Sequence, residues 1–295
     1  MWWNVGLLAG NNKAAADTKR FPVLEAIGDI CRDLRYDLIG LCELSENDVA
    51  HLEALLEPIG FGVISFQDKV GKLKFDMCLL YRTSKLEPVP ESRKVKVDSG
   101  RQRVNQKIGG SIILVVRESG DAFSVICSHW PSRMNSKHSG SYLRSWLGHA
   151  LLDMYSEASA VTSYVILMGD YNDEPQDGSI FLEFGAGRDC GWALCNARPY
   201  NPFWRHLSGK YSPLSVAEST THGSFLYRGQ WPQQDWWLFD QMIFSPGFLG
   251  FNDWILDERS TGILPIEDVM LPKKSNSLSS IKLDHLPVCS RVIRK

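Results

Sequence analysis

The chain has 295 residues, with 32 Lys and Arg against 34 Asp and Glu, so its formal net charge at pH 7 is −2. This length suits one large domain or two small ones, and the absence of any apolar run of roughly 18 residues argues against a transmembrane helix. The balanced charge gives no evidence for a nucleic-acid partner. It does not exclude one, because a bound metal can supply positive charge locally.

The cysteines and the N-terminus bear on the compartment. The 7 cysteines show no C-x-x-C spacing, and Cys42, Cys78, Cys127 and Cys289 lie in apolar runs typical of strands. We therefore expect buried thiols in a reducing, cytoplasmic environment. The first ten residues, MWWNVGLLAG, contain no basic segment and read as a strand, so a secretory signal is not expected.

Apolar runs rich in Val, Ile and Leu predict strands along the whole chain. In chain order they cover residues 2–8, 37–42, 61–66, 75–81, 111–116, 122–128, 163–168, 223–227, 238–244 and 287–293. Helical periodicity predicts helices over 18–35 and 141–160, and a short one from Asp48 that ends before Pro58 and Gly60. The first has an apolar face of Phe21, Leu24, Ile27, Ile30 and Leu34. Two stretches are predicted to be long loops: 90–107, which is polar and basic, and 197–214, which holds Pro, Trp and Tyr without a clean period.

Strands mixed with helices, including hairpin-like neighbours such as 111–116 and 122–128, favour a mixed sheet system with helices outside. The chain shows neither an internal repeat nor a Gly/Ser-rich linker. We therefore expect residues 1–295 to form a single domain.

Polar residues stand at the ends of many predicted strands, or inside them. They are Asn4, Glu43, His129, Arg133, Asp170, Asn172, Asp240, Asp284 and His285. Each one alone is typical of a turn or a solvated strand end, except that a carboxylate flanked by apolar residues, as Asp240 is, needs a buried partner.

Taken together, these oxygen ligands and imidazoles suit a hard divalent cation with acid–base chemistry beside it. Mg²⁺ typically takes one or two protein carboxylates and keeps several waters. Zinc is disfavoured, because the sequence has neither an H-E-x-x-H motif nor paired Cys/His spacing.

The order and spacing of these motifs carry a family resemblance. WWN, LCE, SHWPSR, GDYND, FDQMIFS and LDHLPV follow one another over nearly the whole chain. In this series the sequence resembles the endonuclease/exonuclease/phosphatase superfamily, which includes pancreatic deoxyribonuclease, the apurinic endonucleases, tyrosyl-DNA phosphodiesterase and the inositol-polyphosphate 5-phosphatases. The resemblance implies a four-layered α/β sandwich, with two packed mixed β-sheets flanked by helices and the site at one edge.

The resemblance also implies roles for individual residues. Glu43 would be the principal metal-binding glutamate, with Asn4 beside it and Asp284 binding the metal directly or through water. Asp170 would position or deprotonate the attacking water, and Asn172 would hold that water or a phosphate oxygen. His285, oriented by Asp240, would act on the scissile phosphate as general base or as stabiliser of the transition state.

The same resemblance places His129 on the leaving-group side, with Asp76 as a possible orienting partner. Arg133 is a candidate phosphate ligand, and a rim arginine in a surface loop is an equal alternative. Arg144 could assist from the following helix, although a solvated helix face is favoured. Asp173 and Glu174 are expected only to shape the loop before Pro175.

The substrate is the least determined feature. The leading prediction is a Mg²⁺-dependent nuclease or nucleic-acid phosphodiesterase, acting on DNA or RNA, with Mn²⁺ able to substitute. The alternatives are a phosphatase or phosphodiesterase for a small metabolite or lipid headgroup, and a catalytically silent binding module.

Two groups of residues are candidates for contacting nucleic acid. Trp130, Trp204, Trp231, Trp236 and Trp237 could stack on bases, although core packing explains most tryptophans. The basic stretch 93–107, with Arg93, Lys94, Lys96, Arg101, Arg103 and Lys107, could contact a phosphate backbone, although an ordinary solvated loop is slightly favoured.

Overall fold

The computed structural model describes residues 1–8, 13–33, 35–98, 105–133, 140–208, 223–227, 236–250, 252–264 and 283–295. The helices are α1 (Lys13–Arg32), α2 (Glu46–Leu56), α3 (Gly140–Ser159) and α4 (Cys190–Asn196). The strands are β1 (Trp2–Asn4), β2 (Leu38–Cys42), β3 (Phe61–Phe66), β4 (Lys69–Val70), β5 (Leu73–Lys74), β6 (Met77–Arg82), β7 (Leu86–Asp98), β8 (Gln106–Val116), β9 (Ala122–His129), β10 (Tyr164–Asp170), β11 (Phe225–Leu226), β12 (Trp236–Trp237), β13 (Asp240–Phe244), β14 (Trp254–Ile263) and β15 (Val288–Arg294). Within these described ranges no helix is both long and apolar enough to cross a membrane.

Two large sheets form the centre of the molecule. The first has the strand order β14-β15-β1-β2-β6-β3, and the second has the order β13-β10-β9-β8-β7. Both sheets are mixed, since β1 pairs with β2 and β9 pairs with β10 in parallel while the neighbouring pairs are antiparallel. Two short hairpins, β4–β5 and β11–β12, stand apart from them.

The sheets pack face to face, and alternation along each strand decides which side chains enter the space between them. In β1, Trp2 belongs to the core between the sheets, whereas Trp3 belongs to the core on the outer face. Met168 of β10 meets the same inter-sheet core from the second sheet. Asn4 is two residues beyond Trp2, so its side chain also faces the second sheet.

Helices cover both outer faces. Leu24 of α1 and Leu52 of α2 share a buried cluster with the outer face of the first sheet. Leu147 of α3 shares another with Val165 on the outer face of the second sheet. The predicted four-layered α/β sandwich is therefore confirmed.

Local signals explain where α2 begins and ends. Ser45 caps it by accepting the backbone N–H of Asp48, whose side chain in turn accepts the N–H of Ser45. This reciprocal capping box stabilises the first turn. A short 3₁₀ turn over Glu57–Ile59 follows, and Gly60 at φ 79° ends it in the left-handed conformation.

Two expectations about elements were wrong. The stretch 90–107 is mostly strand, because residues up to Asp98 continue β7 and those from Gln106 begin β8; residues 99–104 lie outside the described ranges. As an edge strand with half-buried and exposed positions, β7 can carry polar side chains that look like a loop in sequence. Phe21 is 65% exposed and does not belong to the apolar face of α1, and Leu34 lies outside the described residues.

Candidate active site

Three of the predicted site residues form a row across the second sheet. His129 ends β9 and pairs in register with Asp170, which ends β10, and Asp170 pairs in register with Asp240, the first residue of β13. Cross-strand partners point to the same face of a sheet, and here that face is the one turned toward the first sheet. The polar row thus continues the inter-sheet apolar core to the sheet edge.

The first sheet supplies residues that meet this row. Asn4 Nδ2 lies 3.1 Å from Glu43 Oε1 and 3.0 Å from Asp170 Oδ2, so one amide group donates to carboxylates from both sheets. Its oxygen accepts the backbone N–H of Gly6 at 3.1 Å. Asn4 therefore bridges the two carboxylates by hydrogen bonding, while its own oxygen is bonded to the backbone N–H of Gly6.

Glu43 follows β2 in a backbone conformation that L-residues seldom adopt. Its φ is 61°, and non-glycine residues in this region are uncommon. Leu7 N–H donates to the Glu43 carbonyl at 3.1 Å, and Leu44 N–H donates to the Asp76 carbonyl at 3.2 Å. These bonds hold the strained residue in place, a situation frequent at functional sites.

His285 forms the first of two histidine–aspartate pairs. Its Nδ1 lies 2.8 Å from Asp240 Oδ2, and its Nε2 lies 3.8 Å from Asp170 Oδ2. The second oxygen of Asp240 accepts a hydrogen bond from Trp2 Nε1 at 3.0 Å, which supplies the buried partner this carboxylate needs.

The charges around His285 favour its protonated form. Burial disfavours that form, but the Asp240 and Asp170 carboxylates outweigh it and raise the pKa of His285 to about 10. For Asp170, burial and the neighbouring Asp240 carboxylate raise the pKa of the side chain above its usual range.

His129 forms the second pair. Its Nδ1 lies 2.9 Å from Asp76 Oδ2, which confirms the contact between these residues that the sequence suggested. Its Nε2 lies 3.8 Å from Glu43 Oε1. The other oxygen of Asp76 accepts from Lys107 Nζ at 3.0 Å.

The pKa values of this second pair move in opposite directions. Burial disfavours both charged forms, yet the attraction between the partners outweighs it. The pKa of His129 is raised to about 9, chiefly by Asp76 with smaller effects from Asp170 and Glu43. The pKa of Asp76 is lowered to about 2 by His129 and Lys107.

One group of acidic and imidazole side chains lies close enough together to be considered for a divalent cation. Ligand atoms of Asp170, Asp240 and His285 lie within 4.8 Å of one another. Both oxygens of Asp240 are already hydrogen-bonded, however, one to Trp2 and one to the imidazole Nδ1 of His285. Asp240 therefore orients His285 and is a poor candidate for a metal ligand.

The carboxylates of Glu43 and Asp284 are more accessible to a hard cation than this trio is. The Glu43 side chain is 29% exposed and Asp284 is exposed, so a cation held there could keep water ligands, as Mg²⁺ does. Asp284 Oδ1 approaches to 3.5 Å of the point where a Cβ on Gly6 would sit, and Gly6 adopts φ 59°. Gly6 thereby brings Asp284 next to the segment that carries Asn4.

The remaining predicted residues lie on the turn after β10 or contact it from other segments. Asn172 has φ 51°, donates its side-chain N–H to the Trp130 carbonyl at 3.0 Å, and donates its backbone N–H to Asp170 Oδ1 at 3.0 Å. Arg133 forms ion pairs with Asp173 and Asp177. Arg144 is buried and pairs with Asp173 at 3.3 Å, so the expectation of a solvated helix face for Arg144 was wrong.

Sequence reasoning missed the outer partners of the two histidine pairs. Trp2 and Lys107 each bind the second oxygen of an orienting aspartate. Lys107 was visible only as one member of a basic stretch, and Trp2 only as an apolar strand residue. Both contacts join distant segments, so no local spacing reveals them.

The aromatic candidates for nucleic-acid contact differ in how far they are exposed to solvent. Trp130 is fully buried and its indole donates to the Ile108 carbonyl at 3.3 Å, whereas Trp236 is half-buried and Trp231 lies outside the described residues. Trp204 packs edge-on against Phe181.

Of the basic stretch, three residues are paired with acids. The pairs are Arg93 with Asp68, Lys96 with Glu157, and Lys107 with Asp76, while Arg101 and Arg103 lie outside the description.

The sequence matches one model of a known protein family. The family model described as "Endonuclease/Exonuclease/phosphatase family" matches residues 17–257, well over half of the chain. No curated protein matches the sequence significantly.

Solved structures share the fold at low identity. The catalytic domain of human Nocturnin with bound sulfate is 16% identical, with a TM-score of 0.62 and coverage of 99% of this chain and 93% of that one. A mannosyl-6-phosphatase from Bacteroides thetaiotaomicron is 16% identical, with a TM-score of 0.61 and coverage of 99% and 98%. D. rerio TDP2 complexed with single-strand DNA product is 16% identical, with a TM-score of 0.60 and coverage of 90% and 89%.

Proposed function

The chain belongs to the endonuclease/exonuclease/phosphatase family, whose members are phosphoesterases, and from this premise we propose that it is a Mg²⁺-dependent nuclease or nucleic-acid phosphodiesterase. One observation carries the proposal. A continuous line of contacts joins Asp76, His129, Glu43, Asn4, Asp170, His285 and Asp240 across the two sheets. This line brings together two imidazoles, whose pKa values are raised by neighbouring carboxylates, and the Asp170 carboxylate, and such groups can serve acid–base hydrolysis of a phosphoester.

In the proposed reaction, Asp170 serves the attacking water. Its raised pKa makes the carboxylate a better proton acceptor than an exposed aspartate. The oxygen of that water forms a bond to phosphorus while its proton moves to Asp170. Asn172 keeps Asp170 oriented through its backbone N–H, and its side chain remains the proposed holder of the water or of a phosphate oxygen.

The two histidines have different proposed roles. His285, held protonated between Asp240 and Asp170, would stabilise negative charge on the phosphoryl oxygens in the transition state. His129, held by Asp76, would give its Nε2 proton to the leaving oxygen as the phosphorus–oxygen bond breaks. Glu43 and Asp284 would hold the cation, Mg²⁺ or Mn²⁺, which supplies charge neutralisation at the non-bridging oxygens.

Two likenesses bear on the substrate. D. rerio TDP2 is described with a single-strand DNA product, which supports a nucleic-acid substrate here. The chain is also similar to a mannosyl-6-phosphatase over nearly the whole length of both proteins. This similarity favours a small phosphorylated metabolite as the second candidate substrate.

A substrate panel separates the candidates. Purified protein is incubated with single- and double-stranded DNA, RNA and sugar phosphates, in Mg²⁺, in Mn²⁺ and in EDTA. The proposal expects metal-dependent cleavage of a nucleic acid that EDTA stops. Release of phosphate from sugar phosphates alone would move the assignment to the second candidate.

A further inference from the structure

The turn that carries the water-positioning carboxylate is held through its backbone. Asp170, Tyr171, Asn172 and Asp173 present four consecutive carbonyl groups, and each accepts a hydrogen bond from outside the turn. In that order the donors are Trp130 N at 2.9 Å, Arg144 Nη1 at 3.4 Å, Arg133 Nε at 2.7 Å and Gln241 Nε2 at 2.6 Å. Three of the four donors are therefore side chains from other segments.

The carboxylate of Asp173 completes this arrangement. It is buried, accepts from Arg133 Nη2 at 2.7 Å and lies 3.3 Å from Arg144 Nε. Its second oxygen accepts from Ser179 Oγ at 2.5 Å. Because both arginines meet one carboxylate that belongs to the turn, they bind the turn by side-chain and by backbone contacts at once.

The turn needs such support. Asn172 adopts φ 51°, a conformation that costs free energy for a residue with a side chain, and its backbone N–H then reaches Asp170 Oδ1. If the carbonyl of Asn172 lost its donor, the peptide could rotate, and Asp170 Oδ1 would lose the N–H that orients it.

We propose that Arg133, together with Arg144, is a positioning residue that acts through Asp170 and Asn172 and does not bind the substrate phosphate. Arg133 was a candidate phosphate ligand on sequence grounds. In the structure its Nε reaches both the Asn172 carbonyl and Asp173, and its Nη2 reaches Asp173 and Asp177. Its guanidinium carbon lies 5.0 Å from the Phe239 ring centre, so an aromatic side chain also packs against the group.

The inference rests on the proposed function for its kinetic test. Arg133→Gln removes the positive charge and the several N–H donors of the guanidinium group, whereas Arg133→Lys keeps the charge. Arg205→Gln is the matched control. Arg205 pairs with Glu258 and has no contact with the 170–173 turn among the described residues. The reaction measured is Mg²⁺-dependent hydrolysis of bis(p-nitrophenyl) phosphate.

We expect Arg133→Gln to lower kcat about 10-fold with KM within about twofold of wild type, because a misplaced Asp170 slows the chemical step and leaves substrate binding alone. Arg133→Lys, which can keep the pairing with Asp173 and Asp177, should recover part of kcat, and Arg205→Gln should match wild type. A tenfold rise in KM with unchanged kcat would overturn the inference in favour of a phosphate contact. Wild-type values for both constants in Arg133→Gln would overturn it as well.

A second measurement does not depend on activity. Amide hydrogen exchange of peptides covering 164–177 should be faster in Arg133→Gln than in Arg205→Gln, while exchange in β8 stays the same in both. Equal exchange at 164–177 in the two variants would refute the positioning role. If the wild-type protein hydrolyses no phosphoester, the proposed function fails, but this comparison still decides the inference.

Discussion

The side-chain nitrogen of Asn4 lies 3.0 Å from Oδ2 of Asp170, although 166 residues separate the two in sequence. The contact joins the end of β1 in one sheet to the end of β10 in the other. Because Asn4 also donates to Glu43, a single neutral amide keeps two carboxylates together that would otherwise repel each other.

Asn4→Asp tests this relationship with almost no change in shape. The variant replaces the amide donor by a third carboxyl group, so we expect kcat/KM to fall at least about 10²-fold, the scale of losing one electrostatic group in an active site. Asn47→Asp makes the same chemical change on the exposed face of α2 and should leave kcat/KM unchanged. An Asn4→Asp enzyme as active as its control would show that the amide bridge has no catalytic importance.

Asp240→Asn tests the orientation of His285. An amide can present a donor to Nδ1 where the carboxylate only accepts, which changes the tautomer and removes the charge that favours the imidazolium. We expect kcat to fall at least about 10²-fold and the pKa of His285, followed by NMR, to drop. The control is Asp257→Asn, which makes the same change in a residue of β14 that pairs with Arg291. If the pKa of His285 stays near its wild-type value, the orienting role of Asp240 is wrong.

The pair of Asp76 and His129 predicts a pH window for stability. The pKa of Asp76 is about 2 in the fold against 3.8 ordinarily, so its contribution is complete above 3.8 and disappears as pH falls through about 2. The pKa of His129 is about 9 against 6.5, so its contribution is complete below 6.5 and disappears as pH rises through about 9. Both pKa shifts arise largely from the same attraction between Asp76 and His129. Counted once, this attraction contributes on the order of 2 kcal/mol to the free energy of unfolding.

Urea unfolding of wild type and Asp76→Asn at several pH values measures this window. The difference in the free energy of unfolding should be largest between about pH 4 and pH 6.5 and should shrink toward pH 2 and pH 9. A difference that is constant from pH 2 to pH 9 would mean that the charges of the pair do not stabilise the fold.

Cation binding can be tested without substrate. Glu43→Gln keeps the size of the side chain and removes one of the two carboxylates proposed to hold Mg²⁺, so we expect Mn²⁺ affinity, measured by calorimetry, to weaken at least about 10-fold. Glu46→Gln, on an exposed residue that pairs with Lys74, is the control. Equal affinities in the two variants would place the cation elsewhere.

Much of the fold followed from the sequence because buried strands of a sandwich are continuous apolar runs. The predicted strand 163–168 is such a run, and the structure places β10 inside the second sheet, between β13 and β9. The edge strand β7 escaped prediction because its alternating lysines and valines resemble a polar loop when the pairing with β8 is unknown. Pairing is a long-range property that local pattern does not determine.

The candidate site was partly predictable for a related reason. His129 and Asp170 end two parallel strands and Asp240 begins the antiparallel strand beside them, so the three residues meet at one sheet edge. The sequence could not reveal that Arg133 turns toward Asp173, because the choice between a phosphate and a protein carboxylate depends on the path of the following loop. It likewise could not reveal that Trp2 and Lys107 complete the two aspartate sites.

The most direct test of the central claim is Mg²⁺-dependent phosphoester hydrolysis by wild type beside Asp170→Asn and His285→Ala, on one panel of DNA, RNA and small phosphoesters. We predict that wild type cleaves a nucleic-acid substrate, that EDTA abolishes the reaction, and that each variant is slower by at least about 10²-fold while it remains folded by circular dichroism. Folded variants that cleave at the wild-type rate would contradict the claim that this inter-sheet site performs the chemistry.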